Sequence, residues 1–102
     1  MNIGILCATR EELEPLLERL ENKNTQRRLH RDFTTGEYAG LTVTAVMGGV
    51  GKVNAAVTTQ ELIQGFGAEK IIFTGVAGGL DDTLRVGDVV IGAEILHHDL
   101  DM

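Results

Sequence analysis

Hydrophobic and polar positions follow one another along this chain in distinct rhythms, and each rhythm predicts an element. Residues 2–7 form a short apolar run with Ile3, Ile5 and Leu6, which suits a buried first strand better than a helix. A 3.6-residue period follows. Leu13, Leu16, Leu17 and Leu20 recur on one helical face, while Glu11, Glu14, Glu18 and Glu21 fall largely on the other. Pro15 lies inside this pattern, where it forgoes a backbone hydrogen bond and crowds the preceding turn, so the regular helix is expected to begin only near Glu11 or Glu12. Residues 22–28 are polar and charged without a period and read as a loop. Two strands are predicted at 33–38 and 41–47, joined by a tight turn at Ala39-Gly40.

Gly48-Gly49-Val50-Gly51-Lys52 then opens a second helix, expected over 52–64. Val53, Ala56, Val57 and Ile63 give it an apolar face to lay on the sheet, and Gly65 and Gly67 end it. A strand at 70–74, a glycine-rich turn and a last strand over 88–96 complete the pattern. Alternating strands and helices predict the α/β class, and the hairpin makes the sheet mixed rather than purely parallel. The expected architecture is a mixed twisted sheet with flanking helices, in a single domain over residues 1–102.

Composition narrows the picture. With 43% hydrophobic and 24% charged residues and a single proline in 102 residues, the chain is expected to fold. A chain of this size buries only about 60% of its extended surface, so a sheet covered on both faces is hard to complete. A net charge of -6 and only 4% aromatic residues argue against a nucleic-acid partner, which needs a clustered positive surface. The one basic cluster, Arg27-Arg28 with His30 and Arg31, reads as a solvated loop edge. Cys7 is the sole cysteine, so no internal disulfide can form, and on a buried strand it acts as a small hydrophobe. No positively charged segment leads into an apolar run at the start, and no apolar stretch reaches spanning length. A soluble cytoplasmic protein without a membrane partner is expected.

The chemistry concentrates in residues 70–90. There an apolar strand meets Gly75-Val76-Ala77-Gly78-Gly79, and backbone without Cβ atoms at the carboxyl end of a strand can approach a ligand closely. Gly51-Lys52 does not make a nucleotide-phosphate loop, because Val46 stands where that motif needs glycine and Val53 where it needs Ser or Thr. Glu12 follows the first strand at the same end. It has two readings: the last residue of a capping box, Thr9-Arg10-Glu11-Glu12, reaching back to the Thr9 N–H, or a general base beside a glycine-lined pocket, activating water. Spacing alone leaves both open. His97-His98-Asp99 with Asp101 suggests a metal site, but neighbours on a strand point to opposite faces, so a polar strand end is the better account and no metal is expected.

Four segments together resemble one family: Ile3-Gly4-Ile5 leading to Glu11-Glu12, Gly49-Val50-Gly51-Lys52-Val53, Thr74-Gly75-Val76-Ala77-Gly78-Gly79-Leu80, and Val86-Gly87-Asp88-Val89-Val90. Their order and spacing resemble the 5'-methylthioadenosine/S-adenosylhomocysteine nucleosidases of the purine nucleoside phosphorylase superfamily. The resemblance implies a phosphorylase/hydrolase-like fold of which this chain is the N-terminal part, and therefore incomplete. It implies cleavage of an N-glycosidic bond by water, releasing adenine in methionine salvage, with a small nucleoside as the partner molecule, no cofactor, and a homodimer as the assembly it allows. Carried over residue by residue, it makes Glu12 the water-activating carboxylate, Val50 a lining residue of the sugar and thioether pocket, and Val76, Ala77 and Gly78 the loop under the nucleoside. Val76 departs from the serine common in that loop; losing the hydroxyl donor favours water over phosphate. The family's purine-protonating aspartate and ribose-binding Met-Glu pair fall outside the chain, so 102 residues alone are expected to be inactive. The alternatives are a non-enzymatic nucleoside-binding or dimerisation module, and a nucleoside phosphorylase.

Overall fold

Alternation along the first strand, β1 (Asn2–Cys7), divides the core in two. The computed structural model describes residues 1–96. After β1 come α1 (Arg10–Arg19), β2 (Glu21–Arg28), β3 (Arg31–Tyr38), β4 (Leu41–Met47), α2 (Lys52–Gln64) and β5 (Lys70–Phe73). The strands form one sheet in the order β2-β3-β4-β1-β5. β1 runs parallel to both β4 and β5, whereas β2, β3 and β4 are antiparallel neighbours. The sheet is mixed and flanked by helices, as the α/β pattern predicts.

On one face, Cys7, Val43 and Ala45 pack with Leu13 and Leu20, against which Leu16 and Leu17 also lie. On the other, Leu6, Phe33 and Val46 pack with Leu62. Residues two apart on a strand share a face, so α1 covers one side of the sheet and α2 the other. Cys7 is fully buried and free, the small core hydrophobe expected of it. Phe33 stacks on Phe66 with ring centroids 4.8 Å apart, and the Arg28 guanidinium sits 5.0 Å above the Phe66 ring. Arg28 also pairs with Glu61 at 3.0 Å, tying the β2–β3 hairpin to the end of α2. Ala39 and Gly40 both have left-handed backbones, at φ 50° and 79°, the geometry of a two-residue hairpin turn.

Five expectations are corrected. α1 begins at Arg10 rather than near Glu11 or Glu12, because the cap at Thr9 fixes its start; Pro15 is exposed, so water can reach the carbonyl its missing N–H leaves unpaired. Residues 22–28 are not a loop but most of β2, a strand exposed at every position, with cross-strand pairs such as Thr25 Oγ1 to Thr34 Oγ1 at 3.0 Å. The basic cluster is accordingly not a loop edge: Arg27, Arg28 and Arg31 lie on the paired strands of this hairpin. α2 buries Thr58 and Leu62, with Ala55 alongside, and turns Val53, Val57 and Ile63 outward, the reverse of the expected face. Lastly, residues 88–96 are not a strand among the described residues. A strand exists only through its pairing, and this stretch is exposed throughout, with Val89 and Ile91 almost fully so. His97, His98, Asp99 and Asp101 lie outside the described residues.

Candidate active site

Three parallel strands end side by side, which brings their following loops to one edge of the sheet. The first residues beyond β4 and β5 both bond back to β1: the Gly48 N–H donates to the Cys7 carbonyl at 2.8 Å, and the Thr74 N–H to the Leu6 carbonyl at 3.1 Å. The loop after β1 leads into α1, the loop after β4 carries Val50, and the loop after β5 carries Val76, Ala77 and Gly78. This is the edge at which parallel α/β sheets bind ligands.

Glu12 occupies that edge. Its Oε1 accepts the Ala8 and Thr9 N–H groups, each at 3.0 Å, and its Oε2 accepts the Val76 N–H at 2.8 Å. The first pair makes the capping interaction read from the sequence, within a full capping box. The third bond spans the sheet edge from α1 to the loop after β5. Hydrogen bonds to the charged form favour it, so Glu12 is held below the usual carboxylate range, the Val76 N–H contributing most and Thr9 next. Burial pushes the Cys7 thiol up, with the Glu12 charge adding to the effect.

Gly75 is what permits this arrangement. A Cβ built at Gly75 would lie 2.6 Å from Glu12 Oε2 and 3.1 Å from its Cδ, closer than atoms can approach without displacement. Gly75→Ala is expected to push the carboxylate off the Val76 amide and move its titration up toward the ordinary range. Carboxyl carbon shifts followed through a pH titration would read this, and a titration left where it was would refute it.

Of the residues singled out from the sequence, the structure joins Glu12 and Val76 directly. Val50 is 75% exposed, and its carbonyl is held by Asn54 Nδ2 at 2.8 Å. Ala77 and Gly78 are exposed, with nothing near the position of a Gly78 Cβ. Glu12 lines an open groove of about 450 Å³ with Ile5, Leu16 and Ile72. A second, larger cavity of about 680 Å³ lies between α1, the β2–β3 hairpin and Gly48-Gly49. Sequence reasoning missed the part Arg31 plays there. Its Nε donates to the Gly48 carbonyl at 3.1 Å, and Nη2 to Asn54 Oδ1 at 2.7 Å; its place in a basic run gave no sign of this anchoring. Among the described residues, no group of three or more His, Cys, Asp or Glu side chains could hold a metal ion, and no helix is long and apolar enough to cross a membrane.

A mixed sheet whose parallel strand ends gather a glycine turn and an amide-held glutamate defines an α/β protein with its candidate site at the sheet edge. Residues 2–102 match the phosphorylase superfamily, and the chain belongs to that family. It is 46% identical over its full length to the 5'-methylthioadenosine/S-adenosylhomocysteine nucleosidase of Pseudoalteromonas translucida and 44% identical to that of Bacillus subtilis, covering 43% and 44% of those proteins. The crystal structure of the same-named nucleosidase from Neisseria meningitidis, in complex with methylthio-immucillin-A, superposes with a TM-score of 0.95 at 43% identity, over 98% of this chain and 43% of that one. The chain thus spans less than half the length of the relatives it matches.

Proposed function

We propose that this chain serves the hydrolysis of the N-glycosidic bond of 5'-methylthioadenosine or S-adenosylhomocysteine, releasing adenine, in the cytoplasm and as part of methionine salvage. The observation that carries the reading is Glu12: a carboxylate kept ionised by three backbone amides at the sheet edge where the family's ligands are expected. Cleavage of such a bond develops positive charge on the sugar, so a weak nucleophile suffices once it is held and relieved of a proton. Glu12 is the acceptor for that proton. Val50 lies beside the sugar and its thioether substituent, and Val76, Ala77 and Gly78 pass beneath the nucleoside. No metal or cofactor is needed for this chemistry.

Val76 supports water rather than phosphate as the nucleophile. Its side chain offers no hydroxyl to an anion, and its N–H is already engaged by Glu12. A carboxylate at that amide would also repel a phosphate dianion.

Adenine release from methylthioadenosine, with and without inorganic phosphate, tests the reading. The full-length protein is expected to release adenine in phosphate-free buffer at a rate that phosphate does not raise. The 102-residue chain is expected to release none. Release that requires phosphate would assign a phosphorylase, and binding without release by the full-length protein would assign a nucleoside-binding module.

A further inference from the structure

Glycine stands at three of the four positions between β4 and α2: Gly48, Gly49 and Gly51. Gly49 and Gly51 have left-handed backbones, at φ 90° and 103°, a region glycine enters without strain. The same freedom gives such a loop many shapes unless something holds it. The start of α2 does not, because Gly51 at the cap position makes no side-chain hydrogen bond to the helix. Two side chains from outside the loop hold it instead, each at a carbonyl. Arg31 Nε donates to the Gly48 carbonyl at 3.1 Å, and Asn54 Nδ2 donates to the Val50 carbonyl at 2.8 Å. The two are also joined to each other, Arg31 Nη2 donating to Asn54 Oδ1 at 2.7 Å.

The chemistry of the groups fixes the direction of this relay. A guanidinium only donates and a carbonyl only accepts, so one orientation of the Asn54 amide serves both neighbours, oxygen toward Arg31 and nitrogen toward Val50. Turned over, it would set donor against donor and acceptor against acceptor. Arg31 is itself held by a third bond, from Nη1 to the Leu29 carbonyl in the turn before β3. It pairs with no carboxylate among the described residues. The backbone of Asn54 is anchored as well, since its carbonyl accepts the hydroxyl of the fully buried Thr58 at 2.7 Å.

We propose that Arg31 and Asn54 are positioning residues for the nucleosidase reaction: Arg31 orients the Asn54 amide, and the amide holds the Val50 carbonyl, so the loop is shaped before the nucleoside arrives. The assignment rests on the nucleosidase reading and gives a role to two residues outside substrate contact. A loop ordered in advance loses less freedom on binding, so releasing it raises KM. Glu12 is held by other partners, the Ala8, Thr9 and Val76 amides, and the chemical step is left intact.

Asn54→Asp in the full-length protein separates positioning from folding. The aspartate keeps an acceptor for Arg31, now as a charge-assisted pair, and it places an acidic residue in the first turn of α2, which has none. Both changes favour the folded chain. It has no N–H for Val50, and it sets a carboxylate oxygen against that carbonyl. KM for methylthioadenosine is expected to rise about tenfold, the scale of one lost hydrogen bond, with kcat little changed and a melting temperature at or above the parent's. Arg31→Met frees the Asn54 amide to turn and should also raise KM, while melting earlier because the Gly48 and Leu29 carbonyls lose their donor. A parental KM in Asn54→Asp overturns the proposal, and a parental KM in Arg31→Met removes Arg31 from it. Loss of kcat and melting temperature together in Asn54→Asp also overturns it, since that is the result of a structural role alone. These outcomes leave the nucleosidase reading standing. Failure of the parent protein to cleave either nucleoside overturns that reading and the positioning role with it.

Discussion

Glu12→Gln in the full-length protein is expected to lower turnover by about 10²–10⁴-fold, the usual worth of a positioned general base, with substrate affinity changed little. Glutamine keeps an oxygen for the Ala8 and Thr9 amides but turns its own NH₂ toward the Val76 N–H, so donor faces donor where Oε2 now accepts at 2.8 Å. The variant should therefore also melt earlier than the parent. The two effects separate the two readings of this residue. A variant that keeps its rate and loses only thermal stability would make capping the whole role of Glu12. The pH profile adds an independent check. Because the folded-state pKa is lowered, the base is already charged throughout the neutral range, and the acid limb of the rate should fall below the usual carboxylate range. Linkage has the same sign: the stabilisation from Glu12 is full above its unfolded-state value and is lost as pH falls through the lowered folded one.

Phe33→Ala is expected to be the most damaging core substitution, costing about 3–5 kcal/mol of a total that for a small domain is about 5–15 kcal/mol. Phe33 is fully buried against Leu6, Val46 and Leu62 and stacks on Phe66. Its removal opens a cavity between the sheet and α2. It also frees Phe66, and with it the Arg28 guanidinium stacked above that ring. Collapse is hindered because β3 is held by pairing on both sides. Urea unfolding of the 102-residue chain would show this as a lower midpoint at unchanged slope. A loss below about 1 kcal/mol would mean that the hairpin repacks and that the aromatic stack contributes little.

The elements legible in the sequence are those with one wet and one dry face, or none wet. β1, β4 and the span of α2 were read with their observed limits, because burial imprinted an apolar run or a clear stop on each. β2 was not legible for the opposite reason. Every residue from Glu21 to Arg28 is exposed, so no inward set recurs at every second position, and the strand is held by polar cross-strand pairs that composition alone presents as a loop. The face of α2 was misread because the helix carries two small apolar stripes. Val53, Ala56 and Val57 looked the stronger, but the sheet took Ala55, Thr58 and Leu62, and the Thr58 hydroxyl could be buried because it bonds the Asn54 carbonyl at 2.7 Å.

At the sheet edge, the sequence placed Glu12 after the first strand and the glycine turn after the fifth. It could not show that the two meet. Glu12 and Val76 are 64 residues apart, and their bond exists because β1 and β5 are adjacent parallel strands, a fact of strand order that local pattern does not encode. Arg31 was illegible for a related reason. An arginine in a basic run looks solvated until the fold brings Gly48 and Asn54 to its guanidinium.

The state of Cys7 decides how this protein can be labelled. Its thiol is sealed inside the sheet and its pKa is raised by burial, so little reactive thiolate forms and alkylating reagents should pass it by. Within these 102 residues, a cysteine introduced at an exposed loop position such as Leu80, itself 98% exposed, would then accept a fluorophore with no need to remove Cys7 first. One engineered residue would provide an optical report on ligand arrival at the loop after β5.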